Sequence, residues 1–167
     1  MGKMEYNYAL CAARCGIRIP EVRLLPSEEC PGFFAIKRFD REKVRDKIQR
    51  IHMASASGLL ETSHRLPNLD YVQLMKLTLA ITNDNTQLEE LYRRMCFNVF
   101  AHNRDDHSKN FSFLCTARGQ WSLSPAYDLT YSNSLAGEHA TTVAGNGANT
   151  SLEDVPTVAV LADLNLE

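Results

Sequence analysis

Apolar positions along the chain follow two rhythms, and the change from one to the other predicts the order of elements. Residues Glu5 to Cys15 suit a helix, with Tyr8, Ala9, Ala12 and Ala13 available for packing and Gly16 as its stop. Ile17 to Leu25 alternates β-branched with charged residues around Pro20, which a helix interior rejects, and Phe33 to Phe39 reads as a second strand. Turn-forming residues between Pro26 and Gly32 join the two as a hairpin. From Asp40-Arg41 onward the pattern predicts helix, with little strand, for about sixty residues. Within that stretch Tyr71 to Thr82 puts Leu74, Leu77 and Ile81 on one face, and Asn83-Asp84-Asn85 breaks it. Thr86-x-x-Glu89 has the form of a capping box and starts the next helix. Leu88, Leu91, Tyr92, Met95 and Val99 then recur at helical spacing, a stripe that reads as core packing rather than a cofactor contact.

Beyond this helix the chain turns polar from Ala101 to Asn110. Phe111 to Cys115 and Gln120 to Leu123 flank Ala117-Arg118-Gly119 as a second hairpin. Asn133 to Thr150 is rich in Gly, Asn, Ser and Thr, a long irregular stretch in which Gly145-Asn146-Gly147 is too short a signal for a phosphate loop. Thr150-x-x-Glu153 is positioned to cap a last short helix, with Pro156 tolerable in its first turn.

The composition suits one soluble globular domain or a large piece of one: 167 residues, 44% hydrophobic and 23% charged. A net charge of −2 recommends no nucleic-acid partner globally and leaves room only for a local basic patch. No apolar run reaches the roughly 18 residues of a membrane span, and Met1-Gly2-Lys3-Met4-Glu5-Tyr6-Asn7 lacks a signal peptide's apolar stretch, so the expected location is cytoplasmic. Five cysteines without a C-x-x-C pair fit reduced thiols, and Cys11 and Cys15 alone are a poor zinc site.

The chemistry concentrates in the polar loop. Asp105 and Asn110 stand in the D-x-x-x-x-N spacing that puts a base near an accepting hydroxyl and an amide oxygen on a metal ion in phosphoryl transfer. The following hairpin returns the chain to its start, which carries Asp128, eighteen positions after Asn110, back beside the loop. Asn110 and Asp128 are thus candidates to hold Mg²⁺ jointly, with Lys109 neutralising a transferred phosphoryl group. Two other readings stay open here. Asp105, Asp106 and Asp128 can simply cap turns around a hydrogen-bonding His107, or His102, Asp105, Asp106 and His107 can be ligands of a metal hydrolase.

At these residues the chain resembles the HipA family of bacterial serine/threonine kinases, toxins of toxin–antitoxin systems. Asn103-Arg104-Asp105-Asp106-His107-Ser108-Lys109-Asn110-Phe111-Ser112 resembles the family's N-x-D-x-H-x-K-N-F-S catalytic loop. Ser124-Pro125-Ala126-Tyr127-Asp128-Leu129 resembles its P-x-Y-D metal-binding segment, and Lys37-Arg38-Phe39-Asp40-Arg41 its R-F-D-R hinge. The resemblance implies an α+β, protein-kinase-like fold. Residues 1–40 would be a hairpin-bearing remnant of the N-lobe, with the hinge at 37–41. Residues 41–167 would be a mainly helical C-lobe with its catalytic loop at 101–110 and metal-binding segment at 124–130.

It further implies ATP and Mg²⁺ as cofactors, Asp105 as catalytic base, and Asn110 and Asp128 as metal ligands. His107, Ser108, Lys109 and Tyr127 would line the phosphate end of the nucleotide pocket, and the backbone of Lys37, Arg38 and Phe39 would meet the adenine. The protein substrate would be an aminoacyl-tRNA synthetase, and a DNA-binding antitoxin is the expected partner, with no direct nucleic-acid or membrane binding by the chain itself. Most of the family's N-lobe, with its phosphate-covering loop and ATP-pairing lysine, is expected to be missing, and the closing helices to be cut short. The alternative is a catalytically incomplete piece that needs a separate N-lobe subunit or the antitoxin.

Overall fold

The computed structural model describes residues 1–63, 69–134 and 137–164. Helix α1 (Gly2–Arg14) buries Ala9 and Ala12 and ends where Gly16 turns left-handed at φ +79°, a conformation that favours glycine. Strands β1 (Val22–Leu25) and β2 (Phe33–Ile36) pair antiparallel, Val22 opposite Ile36 and Leu25 opposite Phe33. The helix lies tightly on this hairpin. A Cβ at Gly2 would sit 2.6 Å from the Gly32 carbonyl oxygen, so no larger residue fits there without a shift.

Residues 41–55 correct the helical expectation. They form β3 (Arg41–Val44), β4 (Lys47–Arg50) and β5 (His52–Ser55), with β3 and β4 a two-stranded ribbon turned at Arg45, φ +55°. Charged residues at nearly every ribbon position mask the two-residue rhythm, because both faces meet water. The same expectation over residues 64–68 lies outside the described residues.

After α2 (Ala56–Leu59) and β6 (Leu69–Asp70) come α3 (Tyr71–Thr82) and α4 (Asn85–Phe100), both where periodicity predicts them. Their caps differ from expectation. Asp70 and Gln73 form the capping box of α3, and Asn83 closes it in the left-handed region at φ +50°. Asp84, not Thr86, caps α4, accepting from the Thr86 amide at 2.9 Å, so the helix begins two residues before the expected cap allows.

Strands β7 (Ser112–Cys115) and β8 (Trp121–Leu123) form the second hairpin, and β5 adds to β7 in a sheet ordered β5-β7-β8. Strand β9 (Thr141–Thr142) runs parallel to β6. Helix α5 (Asp154–Leu161) keeps Pro156 in its first turn, but Thr150 does not cap it. Instead the Asp154 carboxylate reaches back to the Ser151 amide at 2.7 Å.

The main core joins Leu74 and Met75 of α3 and Leu88, Leu91 and Met95 of α4 to Phe113, Leu123 and Val158. Each such side chain stabilises the fold by about 1.5–3 kcal/mol. A smaller cluster of Ala12, Ile17, Phe97, Ala126 and Leu129 ties α1 to α4 and to the chain just before and after Asp128. Among the described residues, no helix is long and apolar enough to cross a membrane.

Candidate active site

The loop between α4 and β7 is fixed first by its backbone. The Asn103 amide donates to Asn98 O at 2.9 Å, the Arg104 amide to Ser132 O at 3.0 Å, and the Ser132 amide back to His102 O at 3.0 Å. Below this, Asp106 is fully buried and receives three donors on its carboxylate: the Tyr71 hydroxyl at 2.8 Å, the Thr141 amide at 3.2 Å and the His139 Nδ1–H at 2.9 Å. Asn98 Nδ2 donates to the Tyr71 oxygen at 2.9 Å, which commits the phenol's own proton to Asp106. Burial, and then the charge of Asp106, push the Tyr71 hydroxyl well above its ordinary pKa.

Asp105, one residue earlier, faces outward with its side chain 59% exposed. The Asn110 side chain donates through Nδ2 to the Asp105 carbonyl at 2.9 Å, which leaves its amide oxygen as the atom that could meet a cation. His107 Nε2 stands 3.9 Å from Asp105 Oδ1, and Ser108 is buried beneath the loop, its carbonyl accepting from the Ser57 amide at 3.1 Å.

Tyr127 joins this loop to the returning chain. Its hydroxyl donates to the Lys109 carbonyl at 2.5 Å and lies 2.6 Å from Ser112 Oγ, which must then supply its own proton to the phenol oxygen. Burial raises the Tyr127 pKa. The phenol ring meets Phe39 at a centroid distance of 5.4 Å, so the segment 37–41 and the two polar segments converge on one aromatic pair. Lys109 itself points outward and is exposed.

Asp128 follows in the left-handed region at φ +57° and is exposed. A narrow cleft beside it is lined by Glu5, Phe34, Ile36 and Tyr127. Glu5 has its carboxyl pushed up, first by burial and then by the charge of Asp128. Glu5 and Asp128 both line this cleft, and carboxylate oxygens are hard donors of the kind that suits a divalent cation such as Mg²⁺.

The 37–41 segment is organised by a buried carboxylate. Asp40 accepts from Arg38 Nε at 2.8 Å and Nη2 at 2.6 Å, and from Arg41 Nη1 at 2.5 Å, which fixes the chain on both sides of Phe39. The Arg38 guanidinium holds the Asp40 carboxyl below its ordinary pKa against the opposing effect of burial. The Lys37 amide donates to Glu21 O at 2.8 Å, and its side chain is exposed, 4.0 Å from Glu21.

Three contributors escaped the sequence reading. In the sequence Glu5 reads as an ordinary first-turn residue, and Asp106 only as a turn cap or hydrolase ligand. Arg94, on α4, is buried with its guanidinium on Glu90 Oε1 at 2.8 Å and on Ser124 O at 2.6 Å, which anchors the start of the 124–130 segment. Burial lowers its pKa to about 10 despite Glu90. A charged residue at a core position of the helical stripe was the available signal.

The hydrolase alternative fails on the same geometry. Asp106 is enclosed by Tyr71, Thr141 and His139, and among the described residues no three His, Cys, Asp or Glu side chains gather as a metal site.

Comparisons with known proteins bear on the fold and the family. A 28%-identical relative over 136 residues is the Sinorhizobium fredii protein named "Putative kinase Y4dM"; the match covers 75% of this chain and 32% of that protein. A Haemophilus influenzae protein named "Putative kinase" is 28% identical over 102 residues, 58% of this chain and 30% of its own length. The chain therefore spans about a third of the length of these curated relatives. A Shewanella oneidensis HipA structure, solved as a complex of HipA, HipB and operator DNA, superposes with a TM-score of 0.81 at 16% identity over 99% of this chain and 44% of that one. Its fold is thus shared, a mixed helix-and-sheet architecture of the kinase-like HipA type. Because the family model for the HipA-like C-terminal domain matches residues 1–165, the chain belongs to that family.

Proposed function

We propose that the site serves ATP-dependent phosphorylation of a protein serine or threonine. The observation that carries this reading is the Tyr127 clamp. One hydroxyl links the segment bearing Asp128 to the loop bearing Asp105 and Asn110, while the ring of the same residue meets Phe39. That link supports a reading in which Asp105 is the base, Asn110 and Asp128 the metal ligands and 37–39 the nucleotide-facing strand end, since phosphoryl transfer depends on such groups being positioned together.

In this reading the Asp105 carboxylate accepts the proton of the acceptor hydroxyl. The hydroxyl oxygen bonds to the γ-phosphorus as the bond to ADP breaks. Asn110 and Asp128 would hold Mg²⁺, which would neutralise charge on the phosphates when bound. Lys109, His107, Ser108 and Tyr127 border the phosphates, and the backbone of Lys37 to Phe39 borders the adenine. By family, and in keeping with the HipA–HipB–DNA neighbour, the chain acts as part of a toxin, with a DNA-binding antitoxin as partner and an aminoacyl-tRNA synthetase as substrate.

A second reading is that the chain acts only with a separate N-lobe subunit or the antitoxin. It is favoured by Leu25 and Phe33, which face each other across the β1–β2 pair at 46% and 58% exposure, an apolar pair suited to a covering partner. Calorimetric titration of ATP into the chain, with Mg²⁺ and then with EDTA, separates the two. Binding that needs Mg²⁺ and disappears in Asp128→Ala supports the first reading, and a phosphotransfer assay abolished by Asp105→Ala completes it. Mg²⁺-dependent binding untouched in Asp128→Ala would sink the metal assignment. A folded chain that binds no ATP until a partner is added supports the second.

A further inference from the structure

A polar cavity of about 370 Å³ opens between the loop before Asp105 and residues 139–150. His102, Arg104, His139, Asn149 and Thr150 supply its polar lining, and it shares none of them with the cleft beside Asp128. Among the described residues no carboxylate lines it: Asp105 and Glu138, each next in sequence to a lining residue, are exposed and outside the lining, and Asp106 is buried against His139 Nδ1.

Two of the lining groups are prepared for a ligand. Arg104 donates through Nη1 to the Gly137 carbonyl and lies 3.4 Å from Asn133 Oδ1, which fixes the plane of its guanidinium. Its Nε is shut off from solvent, and no described residue hydrogen-bonds Nη2, which is the end of the fork left to a ligand. His139 is 4% exposed, with Nδ1 bound to Asp106, so Nε2 is the ring atom left to the cavity. Among the described residues nothing hydrogen-bonds it. The walls are rigid as well: the His139 amide donates to Gly147 O at 2.8 Å and the Ala140 amide to Arg104 O at 3.1 Å.

We infer that this cavity is a phosphate-binding site, with Arg104 as its fixed cation and His139 as its second pole. A permanently charged guanidinium on the wall, with Nη2 unpaired among the described residues, selects an anion. Phosphate and its monoesters fit better than a carboxylate, because a partly protonated phosphate accepts from Arg104 and can donate to a neutral His139 Nε2 or accept from a charged one. The volume exceeds what one ion fills and lies at the lower end of small-molecule sites, about 300–1,000 Å³, which leaves room for the side chain of a phosphorylated residue. Such a site would bind whether or not the chain transfers phosphate itself.

The test follows the histidine imidazole signals of the 167-residue chain by NMR at constant ionic strength. Inorganic phosphate is titrated in one arm, the tripeptide glycyl-phosphothreonyl-glycine in another, and chloride in a third. Saturable movement of the His139 and His102 signals is expected with phosphate or the peptide and not with chloride, while His52, packed on Trp121, stays still. Saturation by inorganic phosphate marks a free-anion site; saturation by the peptide alone marks a site for a protein-borne phosphate. Arg104→Gln should weaken binding about tenfold or more, as loss of a charge-assisted donor does. Because Arg104 also holds Gly137, His102→Gln serves as a second variant, with a smaller loss in the same direction. No saturation in either phosphate arm, or undiminished binding in both variants, overturns the assignment.

Discussion

Asp105 and Asp106 are chain neighbours, yet one carboxylate stands at the rim of the loop with 59% of its side chain exposed and the other lies beneath it with none. Asp105 has few bonds and keeps its carboxylate in solvent. Asp106 is saturated by Tyr71, His139 and Thr141, contributed by segments more than thirty residues away on either side. Polar groups that organise a site and polar groups that react in it have opposite requirements. The first must be fully satisfied out of water, whereas the second must keep spare capacity.

This contrast can be broken at several points. The largest effect should come from Asp106→Ala, which strands the Tyr71 hydroxyl, the Thr141 amide and His139 in the interior. A loss of about 3–5 kcal/mol is expected in urea unfolding. A loss under 1 kcal/mol would show that the underside does not support the loop.

Next in size is Tyr127→Phe, which keeps the ring against Phe39 but removes the links to Lys109 and Ser112. It should cost about 1–2 kcal/mol and weaken ATP binding, with Phe39→Ala reproducing only the binding defect. Equal ATP affinity in wild type and Tyr127→Phe would refute the clamp.

Smaller still is the contribution of Asp40, and it depends on pH. Its folded pKa is depressed, so the stabilisation is present above the ordinary carboxyl value of about 3.9 and is lost as pH falls through the lower folded value. Thermal melts of wild type and Asp40→Asn should converge in that acid range and separate above it; parallel curves from pH 6 to 2 would contradict the assignment.

The smallest stability effect belongs to Asp105→Ala, within about 0.5 kcal/mol of wild type, as for an exposed substitution. If the chain transfers phosphate, the same change should lower the rate by about 10²–10⁴. A variant that unfolds would place Asp105 with Asp106 rather than opposite it.

The sequence reading succeeded where periodicity and turns act locally. The alanine-lined α1, the stripe of Leu88, Leu91 and Met95, and the hairpins around Pro26–Gly32 and Arg118-Gly119 all depend on residues close in the chain. It failed at the 41–50 ribbon, whose charges on both faces leave no apolar rhythm. It also missed β5, whose partner is β7, with His52 opposite Cys115. Within the catalytic loop the residue types were legible, but burial was not. Nothing near Asp106 announces that Tyr71 and His139 will enclose it, and nothing near Asp128 announces that Glu5 will face it.

Asp70 ties these distant pieces together in time as well as in space. Its Oδ1 caps α3 at the Val72 amide, while Oδ2 accepts from Thr142 Oγ1 at 2.6 Å and from the Gly145 amide at 2.8 Å, residues 72 and 75 positions onward. One side chain therefore serves a helix that can nucleate early and a chain closure that carries the entropy of a long loop. Residues 141–145 gain these bonds only once the chain has folded back across the intervening elements. A polypeptide still emerging from the ribosome without Thr142 and Gly145 therefore lacks the bonds that fasten the roof over Asp106 to α3.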